Sequence, residues 1–184
     1  EGGGRKLTSW NKIFKPIVVL CAICIVITGA LAATNAATAP VILEATIKAQ
    51  NEARNELLPE ASGAFTKVDG IKIDNVSDVY AADNGTGWVI TSNDKGYGGT
   101  ITVMSAFTPD GAIKQIKVTE AQETPGFGSK VTATPSYWER YMNQDASQAL
   151  VLNQDIDAES GATISSKALL RAVNSAIEAY NAIP

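Results

Sequence analysis

The residues best suited to chemistry form a run of small and polar side chains at positions 157–166, with the sequence DAESGATISS. The run precedes an amphipathic segment that predicts a helix over 164–182, so Thr163 would hold its hydroxyl at a helix start. A helix start has unpaired backbone N–H groups and the positive end of the helix dipole, and it therefore suits a phosphate. Gly161 and Ala162 keep bulky side chains away from whatever docks there.

The alternative for this run is an ordinary helix start that binds nothing. Thr163 or Ser165 would then cap the helix, and Asp157 and Glu159 would lie near its positive end. Because helix starts with small residues are common, this run alone does not decide between a phosphate site and a plain cap.

Two further glycine-rich segments have the composition of loops that approach a ligand. Residues 123–130 read ETPGFGSK, where Pro125 stiffens the chain while Gly126 and Gly128 let the backbone come close to a flat ring. Residues 95–99 read KGYGG and come directly before a predicted strand. The alternatives are a type II turn at Pro125 and Gly126, and a plain glycine turn at 95–99.

Taken together, the three segments resemble the signatures of the FMN-binding domain family, which includes the RnfG and NqrC subunits of bacterial redox pumps. Residues 160–165 resemble its S-G-A-T-x-S/T motif, and residues 96–99 resemble its G-Y-x-G segment. Residues 123–128 resemble its E-T-P-G-L-G motif, with Phe127 where leucine is usual. The three matches span roughly residues 85–170 in the family's order, a pattern far more specific than any one of them.

The resemblance implies a flavin site with a covalent link. In the family, the threonine that corresponds to Thr163 carries FMN as a phosphoester. Ser160, Gly161 and Ala162 would shape the turn, and Ser165 and Ser166 would donate hydrogen bonds to the phosphate. Residues that would line or balance the ring are Glu123, Thr124, Pro125, Gly126, Gly128 and Lys130. Aromatic side chains that could stack on the ring, although each is more often a core residue, are Trp88, Tyr97, Phe127, Tyr137 and Trp138.

The implied function is that of an electron-transfer subunit in a membrane redox-driven ion pump of the ferredoxin:NAD oxidoreductase type. Its partners would be flavin- and iron–sulfur-bearing membrane subunits, and a flavin transferase would attach the FMN. The membrane anchor and short length look more like the RnfG branch than the NqrC branch, the latter belonging to Na⁺-translocating quinone reductases. A second alternative is a membrane-anchored assembly subunit with no redox role.

Composition excludes several other classes of protein. The chain has no histidine, and its two cysteines, Cys21 and Cys24, lie in the apolar stretch, so no acid–base pair, catalytic residue or metal site is predicted for the body. This disfavours a self-contained flavoenzyme. The net charge of −4 disfavours nucleic-acid binding. The two cysteines read as packing residues on one helix face, with a donated iron–sulfur ligand as the alternative.

A transmembrane helix is predicted over 16–38, because this apolar stretch can cross a bilayer of about 30 Å. Arg5, Lys6, Lys12 and Lys15 precede it, so residues 1–15 should be cytoplasmic and the body extracytoplasmic, on a single pass through the cell (inner) membrane. A cleaved signal peptide is the competing interpretation. A juxtamembrane helix over 39–60 should follow, either as a continuation of the first or as a second helix.

The body, predicted as residues 61–184, should be an α+β FMN-binding domain with a twisted antiparallel sheet flanked by helices. Alternating apolar residues between turn signals predict strands over 66–73, 76–82, 87–92, 99–107 and 112–119. An irregular loop over 120–134 and a short helix over 135–143 follow. The helix over 164–182 should bury one apolar stripe against the sheet, made of Ile164, Ala168, Leu169, Ala172, Val173, Ala176, Ile177 and Tyr180.

Overall fold

The computed structural model describes the backbone of residues 4–184 and the side chains of residues 14–184. It divides into two units: the compact body is Ala49–Pro184, and the residues before Ala49 form the other. Its elements in chain order are α1 (Gly4–Leu57), a 3₁₀ turn (Pro59–Ala61), β1 (Phe65–Lys67), β2 (Val76–Ala82), β3 (Trp88–Lys95), β4 (Thr100–Phe107), β5 (Ile113–Ala121), α2 (Ser129–Thr132), α3 (Pro135–Trp138), a second 3₁₀ turn (Glu139–Tyr141) and α4 (Thr163–Asn181).

One helix, α1, covers the predicted spans 16–38 and 39–60 as far as Leu57. Within the described residues it is the one helix long and apolar enough to cross a membrane, and its apolar side chains are exposed from Phe14 to Ile47. No element boundary separates 38 from 39, so the limits 16–38 stay a prediction. The side chains of Arg5, Lys6 and Lys12, and all of residues 1–3, lie outside the described part of the chain.

The sheet is a five-stranded antiparallel meander in the order β1-β2-β3-β4-β5, which confirms the α+β fold. The central pair, β3 and β4, stays in register over eight residues, from Trp88 opposite Phe107 to Lys95 opposite Thr100. The second strand lies where predicted, and the third runs three residues further than predicted, to Lys95. The first strand is much shorter than the predicted 66–73, because the edge strand pairs on one side only and the chain turns at Gly70, where φ is 96°.

The larger core lies between one face of the sheet and α4. It includes Ile90, Val103 and Phe107 from the sheet and Leu169 and Val173 from the helix, all with no exposed surface. Ser92 on β3 donates a buried hydrogen bond of 2.7 Å to the carbonyl of Ala172, which fixes the position of α4 along the sheet. Six of the eight residues in the predicted apolar stripe of α4 are therefore buried, whereas Tyr180 is half-buried and the first member, Ile164, is 53% exposed.

A smaller core lies on the opposite face of the sheet and uses the end of α1. Ala53, Leu57 and Leu58 pack there against Val89 and Met104. The guanidinium of Arg54 lies 3.9 Å from the centre of the Tyr80 ring. The compact body thus begins at Ala49, twelve residues before the predicted boundary at 61, because the sheet needs these last turns of α1 to cover its second face.

Candidate functional site

A cleft at the N-terminal end of α4 brings the three singled-out segments together. It has a volume of about 560 Å³, within the range of about 300–1,000 Å³ that is usual for small-molecule sites. The β3–β4 turn contributes Tyr97, and the loop after β5 contributes Glu123, Thr124, Phe127 and Gly128. The start of α4 contributes the remaining lining residues, which are Gly161, Ala162, Thr163, Ile164 and Ser165.

The start of α4 has no side-chain cap. Ala162 occupies the N-cap position and Thr163 is the first helical residue. The alternative of a helix capped by Thr163 or Ser165 is therefore wrong: Ser165 instead donates a hydrogen bond of 2.8 Å to a Glu123 carboxylate oxygen. Thr163 is exposed to the cleft, next to the N–H groups of a first helical turn, which have no acceptor within the helix. This arrangement suits an anion that supplies the missing acceptors.

Hydrogen bonds from α3 and from the 3₁₀ turn after it hold the turn that leads into α4. The Tyr137 hydroxyl donates a hydrogen bond of 3.1 Å to the Asp157 carbonyl, and the Arg140 guanidinium donates one of 3.0 Å to the same oxygen. The Glu159 N–H donates to the Ser166 hydroxyl at 3.1 Å. Burial raises the pKa of Tyr137, so its hydroxyl stays protonated and remains a donor.

Glu123 lies where the three segments meet. One carboxylate oxygen accepts hydrogen bonds from the Tyr97 and Gly98 N–H groups, at 2.9 and 3.3 Å. The other accepts the hydrogen bond from the Ser165 hydroxyl on α4. Glu123 therefore links the β3–β4 turn and the first turn of α4 to its own loop. The sequence prediction placed this residue on the ring of a ligand and did not anticipate the link.

At three glycines around this carboxylate, an added Cβ atom would overlap a neighbouring group. A Cβ atom at Gly96 or Gly128 would overlap the Glu123 carboxylate oxygens, and at Gly128 it would also lie 2.8 Å from the Ser165 hydroxyl. A Cβ atom at Gly98 would overlap the Gln122 carbonyl. In contrast, nothing lies within 4 Å of a Cβ built on Gly126, where a φ of 79° explains the glycine. Two glycines of different segments thus make room for one carboxylate.

Several predicted site residues do not line the cleft. Ser166 is fully buried behind the turn, where its hydroxyl accepts the Glu159 N–H. The others are exposed and lie outside the lining: Ser160, Pro125, Gly126 and Lys130. Their placement follows from the tight turns, which aim neighbouring side chains in different directions.

The candidate aromatic residues separate into two groups. Tyr97 and Phe127 line the cleft and are 71% and 61% exposed. Trp88 is half-buried and packs edge-on against Tyr180, with ring centres 5.5 Å apart. Tyr137 is buried, and the Trp138 indole N–H donates a hydrogen bond of 2.8 Å to the Val131 carbonyl. Only Tyr97 and Phe127 can therefore contact a group in the cleft.

Sequence reasoning missed Ile164 as a site residue. It was assigned to the buried stripe of α4, yet it borders the cleft and is half exposed. Its position as the second residue of the helix, before the helix reaches the sheet, is the signal that could have identified it. A larger hollow of about 660 Å³ lies beside the Arg171–Asp94 ion pair, but it is lined by none of the three segments.

The cleft fits a planar ring that carries a phosphate. Two exposed aromatic side chains and Ile164 offer apolar contact to a ring, while the uncapped helix start and the Thr163 hydroxyl offer hydrogen-bond donors suited to a phosphate. Among the described residues no group of three or more Cys, His, Asp or Glu side chains could hold a metal. The residues that line the cleft can hold and orient a cofactor.

The chain is similar to several known proteins. The sequence profile of the FMN-binding domain matches residues 96–178, which include all the residues that line the cleft. The chain is 32% identical to the G subunit of the proton-translocating ferredoxin:NAD(+) oxidoreductase complex of Clostridium ljungdahlii, over 91% of each chain. It is 30% identical to the G subunit of the Na(+)-translocating ferredoxin:NAD(+) oxidoreductase complex of Acetobacterium woodii, over 93% of each. It is also similar to the crystal structure of Shewanella oneidensis NqrC, with a TM-score of 0.47 and 23% identity, covering 65% of this chain and 70% of that one.

Proposed function

Because the chain belongs to the FMN-binding domain family, together with the ferredoxin:NAD oxidoreductase subunits that it resembles over nearly its whole length, we propose that it is an electron-transfer subunit of a membrane-bound complex of that type. It carries FMN, covalently linked through a phosphoester to the Thr163 hydroxyl. The bound FMN accepts and releases electrons, and the protein contributes orientation and electrostatic surroundings. The chain is thus one part of an enzyme complex.

The position of Thr163 is the observation that carries the proposal. Its hydroxyl faces the cleft from the first residue of an uncapped 19-residue helix, so a phosphate bonded to it meets the positive end of the helix dipole. Tyr97 and Phe127 lie on the opposing loops and would contact the ring. Thr124 would supply a hydrogen bond to the polar edge of the ring, and Gly128 would let the backbone approach it closely.

The covalent link has a reason in the location of the body. The basic residues that precede the apolar stretch of α1 support an orientation with the body outside the cytoplasm, on the far side of the inner membrane. A dissociated FMN would be lost there, whereas a phosphoester cannot dissociate. A separate flavin transferase forms the bond, because the cleft has no catalytic group of its own.

The ion path belongs to partner subunits. The apolar stretch of α1 from Pro16 to Leu43 has no acidic or basic residue, so it offers no site for an ion inside the membrane. Relatives named for proton and for Na⁺ translocation are 32% and 30% identical to this chain. The same kind of subunit therefore serves complexes that move different ions, and it passes electrons between flavin- and iron–sulfur-bearing partners.

Intact mass spectrometry of the full chain, purified from a host that contains a flavin transferase, tests the proposal. The chain without any substitution should gain about 438 Da, the mass of FMN minus water, at one site. Thr163→Ala should lose the added mass completely. Thr124→Ala removes a second threonine from the same cleft and should keep it, since its hydroxyl does not form the ester.

The opposite results would exclude the proposal. A chain without added mass, from a host in which a known flavoprotein of this family is modified, would leave the assembly-subunit alternative in its place. An added mass that persists in Thr163→Ala and disappears in Thr124→Ala would move the link to another residue of the cleft.

A further inference from the structure

The environment of Glu123 differs from that of a residue whose role is to contact a ligand. Its two carboxylate oxygens already accept three hydrogen bonds, from the Tyr97 and Gly98 N–H groups and the Ser165 hydroxyl. These donors lie 26, 25 and 42 residues away in sequence. One side chain therefore joins three segments that no regular element connects at this point.

Glycines at two positions allow the backbone to come close enough to the Glu123 carboxylate for this link to form. Gly96 and Gly128 belong to different segments, yet a Cβ atom on either would overlap the same carboxylate. Gly128 additionally holds its backbone against Ser165, the residue through which the link reaches α4. The close approach of two backbones and one hydroxyl leaves no room for a larger group at the centre of the cleft wall.

The consequence for Thr163 follows from helix geometry. Ser165 lies two residues after Thr163 in the first turn of α4, so holding the Ser165 side chain fixes the rotation and the lateral position of that turn. The same carboxylate holds the backbone that carries Tyr97. The link thus fixes the distance between the residue that would bear the phosphate and an aromatic side chain that would contact the ring.

We propose that Glu123 is a positioning residue: through Ser165 and the Tyr97–Gly98 backbone, it holds the start of α4 and the β3–β4 turn at the separation that FMN on Thr163 requires. This inference rests on the proposed function. It assigns to Glu123 a role in the protein framework rather than a contact with the ring, and it makes Ser165 part of the same unit.

Three variants and one control distinguish the effect of the hydrogen bonds made by Glu123 from the effect of its negative charge. Glu123→Ala removes the link. Glu123→Gln keeps it without the charge, because the amide oxygen can accept the two N–H groups and the amide N–H can donate to the Ser165 hydroxyl. Ser165→Ala removes only the arm to α4. Glu120→Ala is the matched control, since Glu120 is an exposed carboxylate on β5 three residues earlier.

The first readout is the attached flavin in the full-length chain, measured by mass and by its visible circular dichroism. Glu123→Ala should lower the fraction of modified chains by about tenfold when the transferase is limiting, and should weaken the dichroism of the flavin that is attached. Glu123→Gln should restore both to within about twofold. Glu123→Ala and Ser165→Ala combined should be no worse than Glu123→Ala alone, because both remove one interaction.

Two results in this readout would overturn the proposal. If Glu123→Gln is as impaired as Glu123→Ala while Ser165→Ala is normal, Glu123 acts on the flavin by its charge. If Glu123→Ala matches the Glu120→Ala control in both measurements, it has no positioning role. Thermal unfolding of each variant shows that a loss does not come from an unfolded body.

The second readout needs no flavin. In a Thr163→Ala background, Glu123→Ala should raise the hydrogen-exchange rates of the Tyr97 and Gly98 amides by about tenfold, while Glu123→Gln and Glu120→Ala leave them unchanged. Unchanged rates in Glu123→Ala would overturn the link itself. Raised rates together with an unmodified wild-type chain would retain the link and reject only the proposed function.

Discussion

The two ends of α4 differ in how far their polar groups are hydrogen-bonded and their apolar groups are buried. At the C-terminal end, Tyr180 stacks on Phe107 with ring centres 4.9 Å apart, and its hydroxyl donates to the Thr108 carbonyl at 3.1 Å. Asn181 reaches the Ala146 carbonyl at 2.8 Å. At the N-terminal end, the cap position holds an alanine, and the first two helical residues, Thr163 and Ile164, are exposed to the cleft.

This difference shows which end of the helix retains unpaired donors and exposed apolar surface for binding a ligand. The C-terminal end pairs its polar groups and buries its apolar ones, so it contributes stability. The N-terminal end keeps unpaired N–H groups and exposed apolar surface beside an uncapped helix, each of which weakens an isolated helix. The N-terminal end, which lacks the features that stabilise a helix, is the end that can accept a cofactor. The comparison therefore predicts that substitutions can change the stability of the body and the environment of the cofactor separately.

The largest expected effect on stability comes from truncating an apolar residue at each end. Ile177→Ala, near the C-terminal end, creates a cavity in the core between α4 and the sheet and should lower the free energy of unfolding by about 3 kcal/mol, since Ile177 is only 2% exposed. Ile164→Ala should lower it by less than about 0.5 kcal/mol. Thermal and denaturant unfolding of the full chain in detergent measure both.

The flavin should respond in the opposite order. Ile164→Ala, which removes an apolar wall of the cleft, should change the visible circular dichroism of the attached FMN, and Ile177→Ala should leave it unchanged while the body is folded. The comparison breaks down if both variants alter stability and spectrum to the same degree, because the two ends of α4 would then form one cooperative unit.

A smaller effect should follow from removing one polar contact at the C-terminal end. Tyr180→Phe keeps the stack on Phe107 and loses the hydrogen bond to the Thr108 carbonyl, which should cost about 1 kcal/mol of unfolding free energy. The flavin content and spectrum should not change. A shift in the flavin spectrum would show that strain travels along the whole helix, against the separation proposed here.

A further effect, confined to alkaline pH, concerns Tyr141, whose ring packs against Tyr137 behind the turn before α4. Burial raises the pKa of Tyr141 above the usual value of about 10, so the folded body keeps a proton that the unfolded chain loses. Stability from this group is present below about pH 10 and is lost at higher pH, by at most about 1.4 kcal/mol per pH unit. Tyr141→Phe should make the alkaline loss shallower, as measured by unfolding between pH 8 and about 11. An unchanged slope would contradict the assignment.

The sequence predicted the sheet well because alternation and turn residues act locally. The second strand has the predicted limits, and the third and fifth differ only at their ends. The edge strand was overestimated, since a run such as 66–73 contains the right residues but has one neighbour to pair with. The short helix Ser129–Thr132 was not anticipated, because four residues carry too little periodicity to be recognised.

The candidate site was predicted as a set of segments more successfully than as a set of contacts. All three segments meet at one cleft, in which Thr163 is exposed as expected. Which side chains face the cleft depends on the direction of each tight turn, and spacing in sequence does not give that direction. For this reason the sequence did not predict that Ser166 and Lys130 lie outside the lining or that Ile164 lies in it. It also did not predict that the Glu123 carboxylate accepts hydrogen bonds from the protein itself.

The packing of α1 against the second face of the sheet determines how a soluble fragment of this protein should be cut. A fragment that begins at Ser62 would lose Ala53, Leu57 and Leu58 and would expose the apolar side chains of Val89 and Met104 to water, which favours aggregation. A fragment that begins at Ala49 keeps this cover and omits the apolar stretch. The few turns of helix retained by such a fragment would decide whether the flavin domain can be handled without detergent.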